Sequence, residues 1–334
     1  MSRARWRVAM HTDPFTVHTW FPLAGLSALD AGAVIELVWV RRRGLPPVRA
    51  VHWLEVHDRE TGIRASICLD LDDRGELTAP ERSAQADLTW KRSYVPGAYG
   101  DARVVPFGLL LKCRSGHERR LPMYLRAPRR ALAAWRDLPP TWTAYESTPA
   151  GRATVLFQVR AWDPNDEPAG DERAARNDER AEVVRALRAA LGDRFVGGFV
   201  PTPHARERYA DCLADRPTDR ASFLELVHGS RICISTQGLR ASNPYKLAEY
   251  TAASRAIVSH PLHHALPEPL DGIATFTDAD ACAETCVRLL DDPDAIAEMQ
   301  SASAAHWRRF GRPDVLVRRR LEELPQTLGI SRSS

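Results

Sequence analysis

Residues 231–235, Arg231-Ile232-Cys233-Ile234-Ser235, are followed by the polar loop Thr236-Gln237-Gly238-Leu239-Arg240-Ala241-Ser242-Asn243-Pro244. Then come Tyr245-Lys246-Leu247-Ala248-Glu249-Tyr250-Thr251-Ala252-Ala253 and the apolar run Ala256-Ile257-Val258-Ser259. The two apolar runs are short, continuous and bounded by turn residues, as strands buried on both faces are. The stretch between them has helical spacing. Strand, crossover helix and strand in this order make the two strands parallel neighbours in one sheet.

The same alternation extends in both directions. Residues 154–159 and 195–200 are further buried strands, and 273–276 another. Helical spacing covers 172–191, 203–213, 221–227, 279–290, 295–310 and 315–324. The first half is more mixed. Strands are expected at 7–10, 34–40, 51–57, 63–71, 87–90 and 103–105, with helices at 20–29 and 125–138. Asp58-Arg59-Glu60-Thr61-Gly62 between two of those strands is a hairpin signal. Residues 139–152, with Pro139, Pro140, Pro149 and Gly151, form a domain edge. A chain of 334 residues holds two domains at ordinary domain size.

Composition excludes several classes. Hydrophobic residues make up 44% and charged residues 27%, so the chain can build a core. Lys+Arg is 46 against Asp+Glu 43, too balanced for nucleic acid to be the main partner. No apolar run reaches the length of a membrane span, and the amino terminus lacks a signal-peptide core, which points to the cytoplasm. The Arg- and Ala-rich composition suggests a bacterial, G+C-rich source. Six cysteines without CxxC spacing are expected to be reduced and buried.

On a doubly wound sheet, ligands lie at the carboxyl ends of the strands. There, Arg160 after residues 154–159 can hold a phosphate, or pair with Asp163. In the loop after Ser235, Ser242 or Asn243 can cap the helix, with Pro244 at its first position. Lys246 is one of only three lysines. With the helix amides it would make an anion site, and Glu249 could accept hydrogen bonds from ribose hydroxyls. The alternative is a plain Lys246–Glu249 ion pair. Lys91-Arg92 is expected to be a solvated pair. His204 could meet a nucleotide or cap a helix. His260, His263 and His264 resemble a metal cluster but have no spaced partners, so no metal is expected.

The run Lys246 to Tyr250, then Ala252-Ala253-Ser254-Arg255 and Ala256-Ile257-Val258-Ser259, resembles the donor-binding stretch of GT-B glycosyltransferases. Leu289-Leu290-Asp291-Asp292-Pro293-Asp294 and the helix after it resemble the end of that domain. The likeness spans about residues 154–310. It implies an α/β, GT-B architecture: two Rossmann-like domains facing a central cleft. Residues 1–150 would take the acceptor and 151–312 the nucleotide-sugar. Residues 313–334 would be a helix and tail of the kind such folds return to the first domain.

Several roles follow from the resemblance. Arg160, Gly238, Arg240, Ser242, Lys246 and Leu247 would surround the diphosphate, and Glu249 the ribose. The co-substrate would be a UDP-, GDP- or dTDP-sugar, with no separate cofactor. The acceptor would be a glycan, a lipid-linked group or a natural product, compatible with a cytoplasmic or peripheral membrane location. Ala241 stands where retaining members carry a first Glu. Asn165, Asp166 and Glu167 stand where they carry a Lys. Both departures point to inversion, which needs a base. His11, Asp13 and His18 in the first domain are the candidates, Asp13 and His18 as an orienter and base. A nucleotide-sugar epimerase, which needs several cleft carboxylates, and a non-catalytic sugar-nucleotide binder are the alternatives.

Overall fold

The computed structural model describes residues 4–11, 16–40, 48–100, 103–118, 138–148, 152–166 and 170–330. The chain forms two compact units. One comprises Met1–Ala144, His264–Pro269 and Arg308–Ser334, the other Tyr145–His263 and Leu270–Trp307.

The first unit is built on β1 (Trp6–His11), β2 (Ile35–Val40), β3 (Val51–Asp58), β4 (Arg64–Asp70), β5 (Leu88–Lys91) and β6 (Val104–Pro106). They lie in the order β2-β1-β3-β4-β5-β6. β1–β3 and β3–β4 pair antiparallel and the others parallel, so the sheet is mixed. The hairpin turn is closed by the Asp58 amide on the Ile63 carbonyl, 2.9 Å. Helix α1 (Trp20–Ala31) is buried almost all round, as its run of apolar residues requires. Helix α2 (Pro80–Gln85), which hydrophobic spacing did not announce, starts on a proline that needs no amide partner at that position. The helix expected at 125–138 lies outside the described residues except for Leu138.

The second unit carries β7 (Arg152–Val159), β8 (Phe195–Phe199), β9 (Ser230–Ser235), β10 (Ala256–Ser259) and β11 (Ile273–Thr275). All pair parallel, in the order β11-β10-β9-β7-β8. Its helices are α3 (Gly170–Leu191), α4 (Pro203–Arg208), α5 (Arg220–Gly229), α6 (Tyr245–Ala252), α7 (Ala279–Leu290) and α8 (Pro293–His306). Val155, Phe157 and Val159 of β7 join Val184, Leu187 and Leu191 of α3 and Cys282, Cys286 and Leu289 of α7 in one core. Gly197 of β8 has φ 129°, and a Cβ there would lie 2.2 Å from the Phe157 carbonyl oxygen, so only glycine lets β8 approach β7.

The expected helix at 203–213 stops at Arg208. Tyr209 leaves helical geometry (φ −137°, ψ 41°) and sends its hydroxyl to Asp178, 2.7 Å away. The helix expected to 310 is α-helical to His306 and ends in a wider turn, Trp307–Gly311. The last long helix, α9 (Pro313–Glu322), belongs to the first unit, where it packs on α1. A Cβ on Gly25 of α1 would lie 2.4 Å from the Pro313 carbonyl oxygen, so glycine permits that close crossing. Among the described residues no helix is long and apolar enough to cross a membrane.

Candidate functional site

The strand order places a topological switch point between β7 and β9, whose next neighbours lie on opposite sides. Such points open a crevice at the carboxyl ends of the strands. Here the crevice is framed from below by α3. Arg180, 5% exposed, donates from Nε to Thr236 Oγ1 (3.0 Å), from one terminal nitrogen to the Arg160 carbonyl (3.2 Å) and from the other to the Gln237 carbonyl (3.0 Å). Its guanidinium also lies over the Trp162 ring, 3.9 Å from the centroid. One side chain therefore ties the turn after β7 to the turn after β9. Burial pulls its pKa down to about 10, which still leaves it cationic at neutral pH.

One turn earlier, Asn177 accepts from the Trp162 amide (3.0 Å) and donates to the Trp162 carbonyl (2.7 Å). Arg176 donates to Gln237 Oε1 (2.9 Å) and to Glu179 Oε2 (2.6 Å), and Arg173 to the Asp163 carbonyl (3.1 Å). None of these α3 residues was among the candidates from sequence. The signal was present: positions 173, 176, 177 and 180 share a face with Val184, Leu187 and Leu191. That face turns from apolar to polar where the helix passes the strand ends.

The candidates from sequence take varied positions. Arg160 is exposed at the end of β7 and its side chain has no partner among the described residues. It does not pair with Asp163, whose carboxylate caps the turn at Asn165 (2.9 Å). The Gly238–Ser242 loop is tight. The Gly238 amide donates to the Ser242 carbonyl (3.0 Å), and a Cβ on Gly238 would lie 2.4 Å from Ser242 Oγ. Arg240 and Ala241 have φ 57° and 52°, a left-handed conformation costly for residues with a side chain. The Arg240 amide donates to Glu172.

The cap position of α6 is held by neither Ser242 nor Asn243. Pro244 (φ −74°, ψ 150°) is itself the cap residue, with the extended backbone usual there, and makes no side-chain cap because its ring carries no acceptor. Leu247 is fully buried and so serves the core. Lys246 sends Nζ inward to the Gln158 carbonyl and lies over the Phe223 ring, 4.1 Å from the centroid. Burial lowers its pKa to about 8. The plain Lys246–Glu249 ion pair is not formed. Glu249, 5% exposed, instead accepts from Arg220 of α5 on Oε1, 2.8 Å. Its other oxygen, Oε2, is buried with no hydrogen-bond partner. Arg220 was not foreseen either; it sits at the first position of α5, behind the Asp219 cap.

In the first unit, Asp13 lies outside the described residues. His18 accepts on Nδ1 from Arg92 (2.9 Å). Burial and the Arg92 charge push its pKa down to about 4. It is therefore neutral at pH 7, with its proton on Nε2 and its lone pair already engaged. His11 has the opposite arrangement. Its Nε2 is 3.0 Å from Glu55 Oε1, and its Nδ1 is buried without a hydrogen-bond partner. Lys91-Arg92 is not a solvated pair. Lys91 is fully buried 3.2 Å from Asp70, and Arg92 is buried against Asp73 and His18. The parallel register that sets Asp70 opposite Lys91 carries the lysine inward.

His204 is not a cap; Thr202 caps α4 by accepting from the Ala205 amide (3.1 Å). His260 follows β10 and packs on Phe276, 4.3 Å between centroids with the rings tilted by 53°. All six cysteines are free and buried. Among the described residues no group of three His, Cys, Asp or Glu side chains is placed to hold a metal.

No family model matches the chain, and no curated protein matches it. Among solved structures it is similar to Anabaena Alr3699/HepE in complex with UDP-glucose, at 11% identity over 96% of this chain and 100% of that one, TM-score 0.42. It is similar to AviGT4, a glycosyltransferase involved in avilamycin A biosynthesis, at 13% identity over 95% and 92%, TM-score 0.39. It is also similar to a glycosyltransferase from Rickettsia africae, at 16% identity over 69% and 58%, TM-score 0.38. The match spans about three fifths of that chain and of the HepE–UDP structure.

Proposed function

We propose that the protein is a glycosyltransferase that moves a sugar from a nucleotide-sugar to an acceptor hydroxyl. The observation that carries this reading is Glu249: a buried carboxylate with one oxygen on Arg220 and the other without a partner. A buried acceptor oxygen left unpaired is costly, and paired hydroxyls of a ribose would satisfy it. The second unit is thus assigned the donor. Its diphosphate lies at the switch point, near Arg160, Arg240 and the amino end of α6.

In this reading the leaving diphosphate is stabilised by these cations and amides rather than by a protein-held metal. The first unit is assigned the acceptor, a glycan, lipid-linked group or natural product. His11, its ring held by Glu55 on Nε2, is assigned as the base of an inverting transfer, which takes the acceptor hydroxyl proton. The acceptor oxygen bonds to the anomeric carbon as the bond from that carbon to the phosphate oxygen breaks. His18, whose lone pair is already engaged by Arg92, is a donor at this site rather than a base.

The test is calorimetric and thermal-shift binding of UDP, GDP, dTDP and ADP to the wild type and to Glu249→Ala, followed by assay of sugar release from the matching nucleotide-sugar. A ligand at 100 times its Kd adds about 2.7 kcal/mol to stability. Stabilisation by one nucleotide, lost in the variant, supports the reading. Failure of all four on folded protein refutes it, and binding with no transfer or hydrolysis favours a non-catalytic binder.

A further inference from the structure

His260 sits where three elements of the second unit meet. Its ring rests on Phe276 after β11, and its amide donates to the Ser235 carbonyl, 3.2 Å. Nδ1 has two neighbours that make opposite demands. The Gln237 amide lies 3.4 Å away and needs an acceptor, so it calls for an unprotonated Nδ1. Glu179 Oε1 lies 3.2 Å away and needs a donor, so it calls for a protonated one. One nitrogen cannot serve both. In the neutral ring Nδ1 takes the amide, and Glu179 Oε1 is a buried oxygen without a hydrogen-bond donor.

Among the described residues, the charged groups that act on the ring come from α3. Glu179 favours the imidazolium, while Arg176 and Arg180 oppose it; burial opposes it most, so the free protein keeps His260 below its ordinary pKa. The turn after β9 contributes only the neutral Gln237, whose carbonyl and side chain are already held by Arg180 and Arg176. Its amide is thus the one polar backbone group of this residue whose bond depends on a proton.

We propose that His260 is a positioning residue that couples proton uptake to anion binding at the turn after β9. When a phosphate oxygen of a nucleoside diphosphate accepts from the Gln237 amide, Nδ1 loses that donor. It then takes a proton from solvent and donates it to Glu179 Oε1. The anion gains a backbone donor and a nearby positive charge in one step. The inference rests on the donor reading of this unit and adds to it a proton that travels with the diphosphate.

Linkage fixes the sign. Bound anion raises the His260 pKa, so affinity tightens as pH falls through the window between the bound and free values, by up to about tenfold per pH unit. Below the free value the effect is exhausted.

The experiment is titration calorimetry of UDP binding between pH 5.5 and 8, in buffers of different ionisation enthalpy. GDP, dTDP and ADP follow if UDP is silent. The wild type is expected to take up a fraction of a proton, up to one, more than His260→Asn, which keeps a neutral group near the Nδ1 position. Glu179→Gln should show reduced uptake. Because the terminal phosphate itself titrates at about pH 6 and can lose a proton on binding, the readout is the difference in net uptake between wild type and His260→Asn, and no difference across the range overturns the proposal. If none of the four nucleotides binds, the donor reading fails and inorganic pyrophosphate becomes the probe. Pyrophosphate bound with the same difference between wild type and His260→Asn still supports the coupling; bound without that difference, or not bound, it overturns it.

Discussion

Replacing Arg180 by methionine keeps most of the buried volume and removes three donated hydrogen bonds. The Arg160 and Gln237 carbonyls and Thr236 Oγ1 lose their common partner. An acceptor stripped of its partner in a buried site costs about 1–3 kcal/mol. Against this stands the relief of no longer burying a guanidinium, which can offset several kcal/mol. Water reaching the turn carbonyls recovers a further part, so the net loss is about 2–4 kcal/mol. In a unit of about 150 residues, each kcal/mol lowers Tm by roughly 2–4 °C. The expected fall is about 4–16 °C. The turns after β7 and β9 are also released from one another, so nucleotide affinity should drop alongside. Arg180→Lys keeps a charge but not the planar fork, and should fall between the two. Calorimetric melting and nucleotide titration of the three proteins decide it. A methionine variant that melts within a degree of the wild type, and binds as well, would refute the clamp.

Three further outcomes are expected. His52 is buried, shares a 2.8 Å hydrogen bond with Thr19, and has its pKa pushed down to about 4 by burial, then by Arg82 and His18. Its unfolded form takes a proton near pH 6.5 while the folded form does not. Stability is therefore full above about pH 6.5 and falls by about 3 kcal/mol as pH drops to 4. Acid melting of the wild type against His52→Gln checks this, and an unchanged slope would count against it. Gly25→Ala puts a methyl group against Pro313 and Val317 and should cost about 1–3 kcal/mol, read as a lower Tm. His11→Asn should slow transfer by about 10²–10⁴-fold with nucleotide binding and Tm unchanged; equal rates would exclude His11 as the base.

The second half of the chain was legible because its strands are buried on both faces and announce themselves as apolar runs. β10 falls at 256–259 as read from the sequence, and β9 begins one residue earlier. The first half was harder because its sheet mixes directions and one face can carry polar residues, as β3 does with Glu55 and His57. At the site, residue type could be read but side-chain direction could not. Lys246 was expected to face a ligand and instead reaches the Gln158 carbonyl, since a long flexible stem can point either way along its helix. Glu249 was picked out by its spacing, whereas its partner Arg220 lies 29 residues earlier on another helix, a pairing that only tertiary packing creates. Arg180 was passed over as one arginine among many in an Arg-rich chain, although its place on the buried face of α3 sets it apart.

The helix α9 has a consequence for how the chain is made. It is synthesised after every strand of the second unit, yet it packs against α1, which precedes them all in the chain. Until residue 313 and its successors emerge, the face of α1 around Gly25 is without its cover. The second unit can close on its own sheet in the meantime. The nascent first unit must therefore wait with an apolar helix face open while the residues between the two helices are made, about 15–60 s at ordinary elongation rates. That interval, rather than any weakness of the finished fold, is where this protein would most depend on a chaperone.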